Sequence, residues 1–519
     1  MTDQQLELSS REKYLQSCGV VQSVTGPVQV RWDQENASTP MGQLAYFIEF
    51  LNLTGLWAKW VESCPLYYTS PNASRKEEVL GTLLLSILSG HRRYAHVTAI
   101  RRDGVNPGLL GMRKVISEDG LRNALKNIDE ERGISWLDGH LSDSVAPLLD
   151  APWIMDTDTT IKALYGSQEG AEVGYNPKKP GRPSHAYHTY LMSELRLVLG
   201  VEVCAGNQHS AKHAQPGLLR VLDSLPQERK PRLLRGDSSF GNDSLMNELE
   251  ARGQDFLFKL KLTKNVKRFI VKLFAHSGWK DAGQGWEGQE GELALQGWGH
   301  KRRVVVLRRA IKGKVIANSQ YEQLMLPFIN VGRKEGKEIT GYEYSVLVTN
   351  TGYEIFSIGQ LYRDRADAEN AFDELKNQWG WCGYTTQDLH RCQLSARAVA
   401  LIYNWWSLFV RLANPEARRE AITSRPWRMA SIGCKTEDTG QTCITLTGLH
   451  ARFADARARL TRVSALLQSW CDKITEQFRA EIVWQRVCDY LKQLLAGGFT
   501  KKKRRKTSNL LQLAPANCG

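Results

Sequence analysis

The stretch "YRDRADAENAFDELKNQWG", residues 362–380, decides how the chain is read. It has no proline and no internal glycine and is rich in Ala, Glu, Leu, Lys and Arg, which predicts one continuous helix. On a helix that advances about 100° per residue, Tyr362, Arg365, Glu369 and Lys376 fall within an arc of roughly 60°. One narrow stripe therefore carries a phenol, a guanidinium, a carboxylate and an ammonium. Taken alone, Arg365 and Glu369 at four-residue spacing form an ordinary surface ion pair. Four such groups in line point to a charged ligand.

Upstream of this helix, apolar runs of strand length alternate with helical segments. "WIMDTD" (153–158) is a short apolar run ending in carboxylates, and "LRLVLGVEVCAG" (195–206) reads as two strands turned at Gly200. "GLLRVLDSL" (217–225) reads as a helix, "RLLRGDSSFG" (232–241) as a buried strand ending on Asp237, "DSLMNELEARG" (243–253) as a helix and "DFLFKL" (255–260) as a strand. The alternation predicts an α/β sheet. Asp158, with Asp156 nearby, and Asp237 then stand at strand ends, where open α/β sheets gather reactive groups. Asp158, Asp237 and Glu369 converging from two strands and a helix can hold two Mg²⁺ ions, which take oxygen ligands and keep positions open for water and phosphate. Arg365 and Lys376 would neutralise phosphate oxygens beside them, and Tyr362 would hydrogen-bond or pack against a nucleic-acid backbone.

Residues 1–150 read mainly as helices, including an amphipathic "MGQLAYFIEFLNLTGLWAKWVE", "SRKEEVLGTLLLSILSG" starting on a Ser cap, and "SEDGLRNALKNI" starting on Ser117. Residues 262–340 are basic, glycine-rich and strand-like, with "KRRVVVLRRA" (301–310) the clearest strand, and "YEYSVLVTN" (342–350) reads as a return to the main sheet. After Arg411 the chain reads as helical again. The apolar runs at 79–90 and 398–410 are too short to span a bilayer, and Asn404 interrupts the second.

The 519-residue chain carries a net charge of +14, of which six charges lie in "KKKRRK" (501–506); a basic protein of this size favours a polyanionic partner, nucleic acid first. Ten cysteines form no C-x-x-C pair, which fits reduced thiols in a cytoplasmic protein, and the polar first residues do not read as a signal peptide. His209 and His213 have the spacing of a helical metal pair, but no second ligand cluster follows them. In "YNPKKPGRPSH", Lys178, Lys179 and Arg182 sit in a loop held open by Pro177, Pro180 and Pro183, suited to clamping phosphates. Trp298 beside Lys301, Arg302 and Arg303 is a candidate for nucleic-acid contact, with Trp279 and Trp286 as equal candidates and a core role open to each.

Tyr362, Arg365, Glu369 and Lys376 match the Y-x2-R-x3-E-x6-K signature of DDE transposases of bacterial insertion-sequence family 4 and its relatives. The surrounding "ENAFDELKNQWGWCGYTTQDLHRCQ", "LYGSQEGAEVGYNPKKPGRPSHAYH" (164–188) and "LRGDSSFG" more closely resemble insertion-sequence family 1380, over roughly residues 155–410. This resemblance implies an RNase H-like catalytic core with a β-rich insertion between the second and third acids, flanked by helical N- and C-terminal regions. It makes Asp158 the first acid, with Asp156 as second choice.

The expected domains are a helical DNA-binding domain at 1–150, the core's first part at 151–261, the insertion at 262–340, the core's second part at 341–415, and a helical C-terminal region at 416–519, for dimerisation or DNA contact, with the basic tail. The expected function is to bind the terminal inverted repeats of an insertion sequence and to cleave and join DNA with two Mg²⁺ ions, with Mn²⁺ as a substitute. A homodimer on double-stranded DNA, associated with a bacterial nucleoid in the cytoplasm, is the expected assembly. The alternatives are an RNase H-fold nuclease that cuts without joining and a silent relative that only binds DNA.

Overall fold

A computed structural model describes residues 18–496, apart from 312–340 and positions 34, 69, 71, 151, 177, 275, 276, 382, 439, 449, 473 and 475. Pro177, part of the expected insertion and the "KKKRRK" tail therefore lie outside the described residues. The described chain opens on a hairpin, β1 (Cys18–Ser23) and β2 (Gly26–Arg31), then a short strand β3 (Ala37–Thr39). Helices follow at Leu44–Leu53, Leu56–Glu62, Lys76–Leu88, Glu118–Lys126 and Glu130–Val145. Ser117 caps its helix by accepting the Gly120 N–H at 3.1 Å. The Lys76–Leu88 helix is not started by a serine as expected: Arg75 is its N-cap, and the Glu78 carboxylate accepts the Arg75 N–H at 3.1 Å.

The centre is a ten-stranded sheet made of β4 (Ile154–Ala163), β5 (Glu172–Val173), β6 (Pro183–Met192), β7 (Leu197–Ala205), β8 (Leu233–Gly236), β9 (Phe256–Lys259), β10 (Lys280–Gly283), β11 (Trp286–Leu293), β12 (Arg302–Ile311) and β13 (Gly341–Thr349). Its order is β10-β11-β12-β13-β9-β8-β4-β6-β5, with β7 also paired to β6. β8 runs parallel to both β4 and β9, while β6 and β7 are antiparallel. The strand-like segment after residue 262 continues this same sheet through β13, which pairs with β9.

Two expectations are corrected. Residues 197–205 form one strand, not two; Gly200 lies inside it, next to a register shift, where an added Cβ would meet the Tyr190 ring at 3.3 Å. The first acidic run does not end its strand either, because β4 continues to Ala163. What ends there is the parallel neighbour: β4 pairs with β8 only through Asp156↔Arg235, so beyond that point the β8 side of β4 opens.

The two faces of the sheet are buried differently. On one, Met155, Tyr190, Leu234 and Phe256 join the large core built by the N-terminal helices and the Leu389–Ala413 helix. On the other, Ile154, Leu233, Leu257 and Leu347 pack under Ile355, Ile358 and Leu361 of the Ile355–Asp364 helix. Strand alternation places Asp156 and Asp158 on the second face with Ile154, and Arg235 with Leu233. No described helix is long and apolar enough to cross a membrane. The region after Arg411 is not wholly helical: β14 (Gly433–Asp438) and β15 (Gln441–Leu446) form a hairpin, and β14 pairs with β3, before helices at Phe453–Cys471 and Arg479–Ala496.

Asn404, the polar interruption of the Leu389–Ala413 helix, is fully buried and clips that helix to β7. Its Oδ1 accepts the Val198 N–H at 2.8 Å and its Nδ2 donates to the Val198 carbonyl at 2.8 Å. Asn404→Leu would leave both backbone groups buried without partners. It is expected to destabilise the fold by about 2–4 kcal/mol in denaturant unfolding; an unchanged midpoint would show that the clip is dispensable.

Candidate active site

The three acids come from three elements: Asp158 and Glu369 flank Arg365, and the charge of Asp237 bears on both Asp158 and Arg365. Asp158 stands on the open side of β4, and its Oδ1 accepts the Thr159 N–H at 2.9 Å. Asp237 follows β8 directly and opens a tight turn in which Ser239 donates to its Oδ1 from both N (3.0 Å) and Oγ (2.5 Å). Gly236 makes that turn possible, since a Cβ there would lie 2.9 Å from the Phe240 side chain. Glu369 comes from the Ala366–Gln378 helix, docked through Ala368, Ala371, Phe372 and Leu375.

The signature segment is not one helix. It breaks into Ile355–Asp364 and Ala366–Gln378, with Arg365 at the joint. The Arg365 N–H bonds to the Tyr362 carbonyl at 3.2 Å, one residue short of the α-helical partner. The Leu361 carbonyl instead accepts from Arg235 Nη1. At the joint the Arg365 guanidinium faces inward: the residue is only 4% exposed, its Nη1 donates to Glu369 Oε1 at 2.7 Å, and its Nη2 lies 4.0 Å from Asp158 Oδ1. Its Nε is buried without a hydrogen-bond partner among the described residues.

Electrostatics ties the group together. Burial pushes the Asp158 carboxyl from its ordinary 3.8 to about 6; Arg365 opposes this, and the charges of Asp237 and Glu369 add to it. Burial pulls the Arg365 pKa down, but Asp158, Asp156, Glu369 and Asp237 outweigh it and hold it above its ordinary value. Tyr362 is half-buried against the Leu361 cluster, and burial raises its phenol pKa. Lys376 lies near the end of the Ala366–Gln378 helix, half-buried, and makes no ion pair among the described residues.

Asp156, the second choice for the first acid, has another task. It is fully buried and holds Arg235 through two bonds, Oδ1 to Nε at 2.8 Å and Oδ2 to Nη2 at 2.6 Å. Sequence reading missed Arg235, although a charged residue inside "RLLRG" was a signal, because a buried strand position needs a partner for its charge.

The donor set suits a hard divalent cation: all ligands would be carboxylate oxygens, and Asp158 Oδ2 and Asp237 Oδ2 accept no hydrogen bond among the described residues. As they stand, no three His, Cys, Asp or Glu side chains among the described residues gather closely enough to hold a metal ion. Glu369 is paired to Arg365 and its side chain is 61% exposed.

The remaining candidates are dispersed. Lys178, Lys179 and Arg182 are exposed; Lys179 Nζ and the Arg182 guanidinium each lie 4.9 Å from the centroid of the exposed Tyr165 ring, over its face. Arg302 is not offered to a ligand: it is buried, bonded to Asp243 at 2.6 Å and Glu250 at 2.7 Å, and stacked on Trp298. Arg303 is likewise spent on Glu290 and the carbonyls of Thr351 and Tyr353. Lys301 is exposed, Trp279 lies under Arg308, and Trp286 lies under Arg309. His209 precedes the Ala211–Ser224 helix, so it does not share a helical face with His213, and its ring packs on Tyr175.

The raised Asp158 pKa has a signed consequence. Between its ordinary value and about 6 the folded state holds the extra proton, so this group's contribution to stability falls as pH rises through that window. In EDTA, Asp158→Asn is expected to unfold about 1–3 kcal/mol harder than wild type at pH 7.5, with the gap closing towards pH 4. A gap independent of pH would contradict the assignment.

No curated protein matches the chain. Among solved structures, the chain is similar to the cryo-EM structure of a piggyBac transposase synaptic complex with hairpin DNA, at 11% identity and a TM-score of 0.37, covering 89% of this chain and 88% of that one. The family model described as transposase DDE domain group 1 matches residues 74–446. The chain therefore belongs to the DDE transposase domain family.

Proposed function

We propose that this protein is an insertion-sequence transposase of the family 1380 type, which binds the terminal inverted repeats of its element and catalyses strand cleavage and strand transfer. The observation that carries the reading is the buried Arg365, bonded to Glu369 at 2.7 Å and 4.0 Å from Asp158, with the charge of Asp237 also bearing on it. The strand order β7-β6-β4-β8-β9, three antiparallel strands followed by two parallel ones, supports an RNase H-like core. The proposed domains remain the helical N-terminal domain, this core, the segment 262–340, whose described strands extend its sheet, and the helical C-terminal region with its basic tail.

Two Mg²⁺ ions, or Mn²⁺ in their place, would supply Lewis-acid stabilisation of the attacking and leaving oxygens of an in-line phosphoryl displacement. Asp158 and Asp237 would hold them, with Glu369 completing the set once its pairing with Arg365 is exchanged for a phosphate. Arg365 then presents a guanidinium to the scissile phosphate, and Lys376 neutralises a neighbouring one. Tyr362 hydrogen-bonds or packs at the edge of the site. Water attacks first and frees a 3′-hydroxyl; that hydroxyl attacks the second phosphodiester. Cutting and joining two ends calls for two protomers on DNA, with the C-terminal helices as the pairing element.

Glu369→Gln is expected to bind a labelled end duplex like wild type, and to lose both nicking and joining by about 10³-fold or more, as loss of a charge-stabilising group does. Wild type should do both only with Mg²⁺ and neither in EDTA. Cleavage by the mutant at the wild-type rate would remove Glu369 from the site, and nicking without joining in wild type would favour a simple nuclease. Replacing Lys178, Lys179 and Arg182 together by Ala should lower the slope of log affinity against log salt by about 2–3. An unchanged slope would place that loop away from DNA.

A further inference from the structure

Asp156 and Arg235 face each other in register on the parallel strands β4 and β8, and both are almost completely buried. A buried ion pair is a poor source of net stability, since apolar residues of similar volume fill such a space as well or better. This pair does something an apolar pair cannot. With two N–H groups on Asp156, the fork has Nη1 left for the Leu361 carbonyl, while Nη2 also reaches Ser193 Oγ at 2.9 Å. In a continuous helix Leu361 O would accept from the Arg365 N–H. Here Arg235 takes that carbonyl, the Arg365 N–H turns to Tyr362 O, and the helix breaks at Arg365.

We infer that Arg235, oriented by Asp156, is a positioning residue: it fixes the joint between the two signature helices and so aims Arg365 between Asp158 and Glu369. The inference rests on the catalytic reading above for its functional meaning, but its structural half stands on the joint alone. Contacts away from the joint also hold the second helix. Arg196 Nη2 lies 3.4 Å from Asp367 in its first turn, and the Ala421 N–H donates to Glu374 at 2.9 Å. These fix where that helix lies; neither touches the joint.

The test pairs hydrogen exchange with activity. In the double variant Asp156→Leu/Arg235→Met both charges leave together, so no unpaired charge remains buried. Amides 362–369 of the metal-free protein are expected to exchange about fivefold faster or more, as local opening becomes easier. Turnover should fall about 50-fold or more with the KM for the end duplex unchanged, as a misplaced group costs. Arg235→Lys keeps the charge but not the fork, and should fall between the two. Wild-type exchange and turnover in the double variant would overturn the positioning role. Should that variant fail to fold, Arg235→Lys decides, and wild-type values there overturn it equally. Asp158→Asn, assayed alongside, reports on the catalytic reading alone. Full activity in that variant overturns the catalytic reading; its inactivity beside a fully active double variant overturns only the positioning role.

Discussion

A charge taken out of water must find its counter-charge in a fixed place, and this constraint organises the centre of the molecule. Asp156 and Arg235 meet it by facing one another across parallel strands. Register between β4 and β8 is thereby specified, because a slip of one residue would turn Asp156 and Arg235 to opposite faces of the sheet. Register in turn determines where β8 ends against β4, and that end is where Asp158 becomes accessible and Asp237 begins its turn.

The site built on this foundation has more negative than positive charge. Four carboxylates bear on Arg365, which is itself buried. The elevated proton affinity of Asp158 comes first from burial, and the charges of Asp237 and Glu369 add to it. Such a site favours arriving positive charge, and the proposed metal ions would relieve it. The protein's basic groups outside the site are distributed differently. Arg302, Arg303 and Arg308 are drawn into the packing of the extended sheet by acids and aromatic rings, whereas Lys178, Lys179 and Arg182 stay at the surface.

Much of this was legible in the sequence. The alternation of strand and helix from 153 to 260, the strand 302–311 and the return at 341 follow from local pattern, because burial on one or both faces imposes a period that residue types reveal. The polar stripe was legible as residues but not as shape. Propensity alone makes 362–380 a single helix, and only a side chain more than a hundred residues upstream, Arg235, diverts the carbonyl that would have continued it. Gly200 misled for a related reason: a glycine at a bulge and a glycine at a turn look alike until the neighbouring strand's Tyr190 is in place. The arginines at 302 and 303 read as ligand-facing because nothing local announces the partners Asp243, Glu250 and Glu290.

The pairing of β3 with β14 sets a clock. Thr39 lies opposite Gly433, so β3 waits for a hairpin that leaves the ribosome roughly 400 residues later. At about 5–20 residues per second this is a delay of roughly 20–80 s, during which the early helices are synthesised without their closing strand. A transcript or nascent chain interrupted anywhere in that interval yields a product whose front end is left unsealed. A chain synthesised past β15 is therefore the first species in which β3 can find its partner.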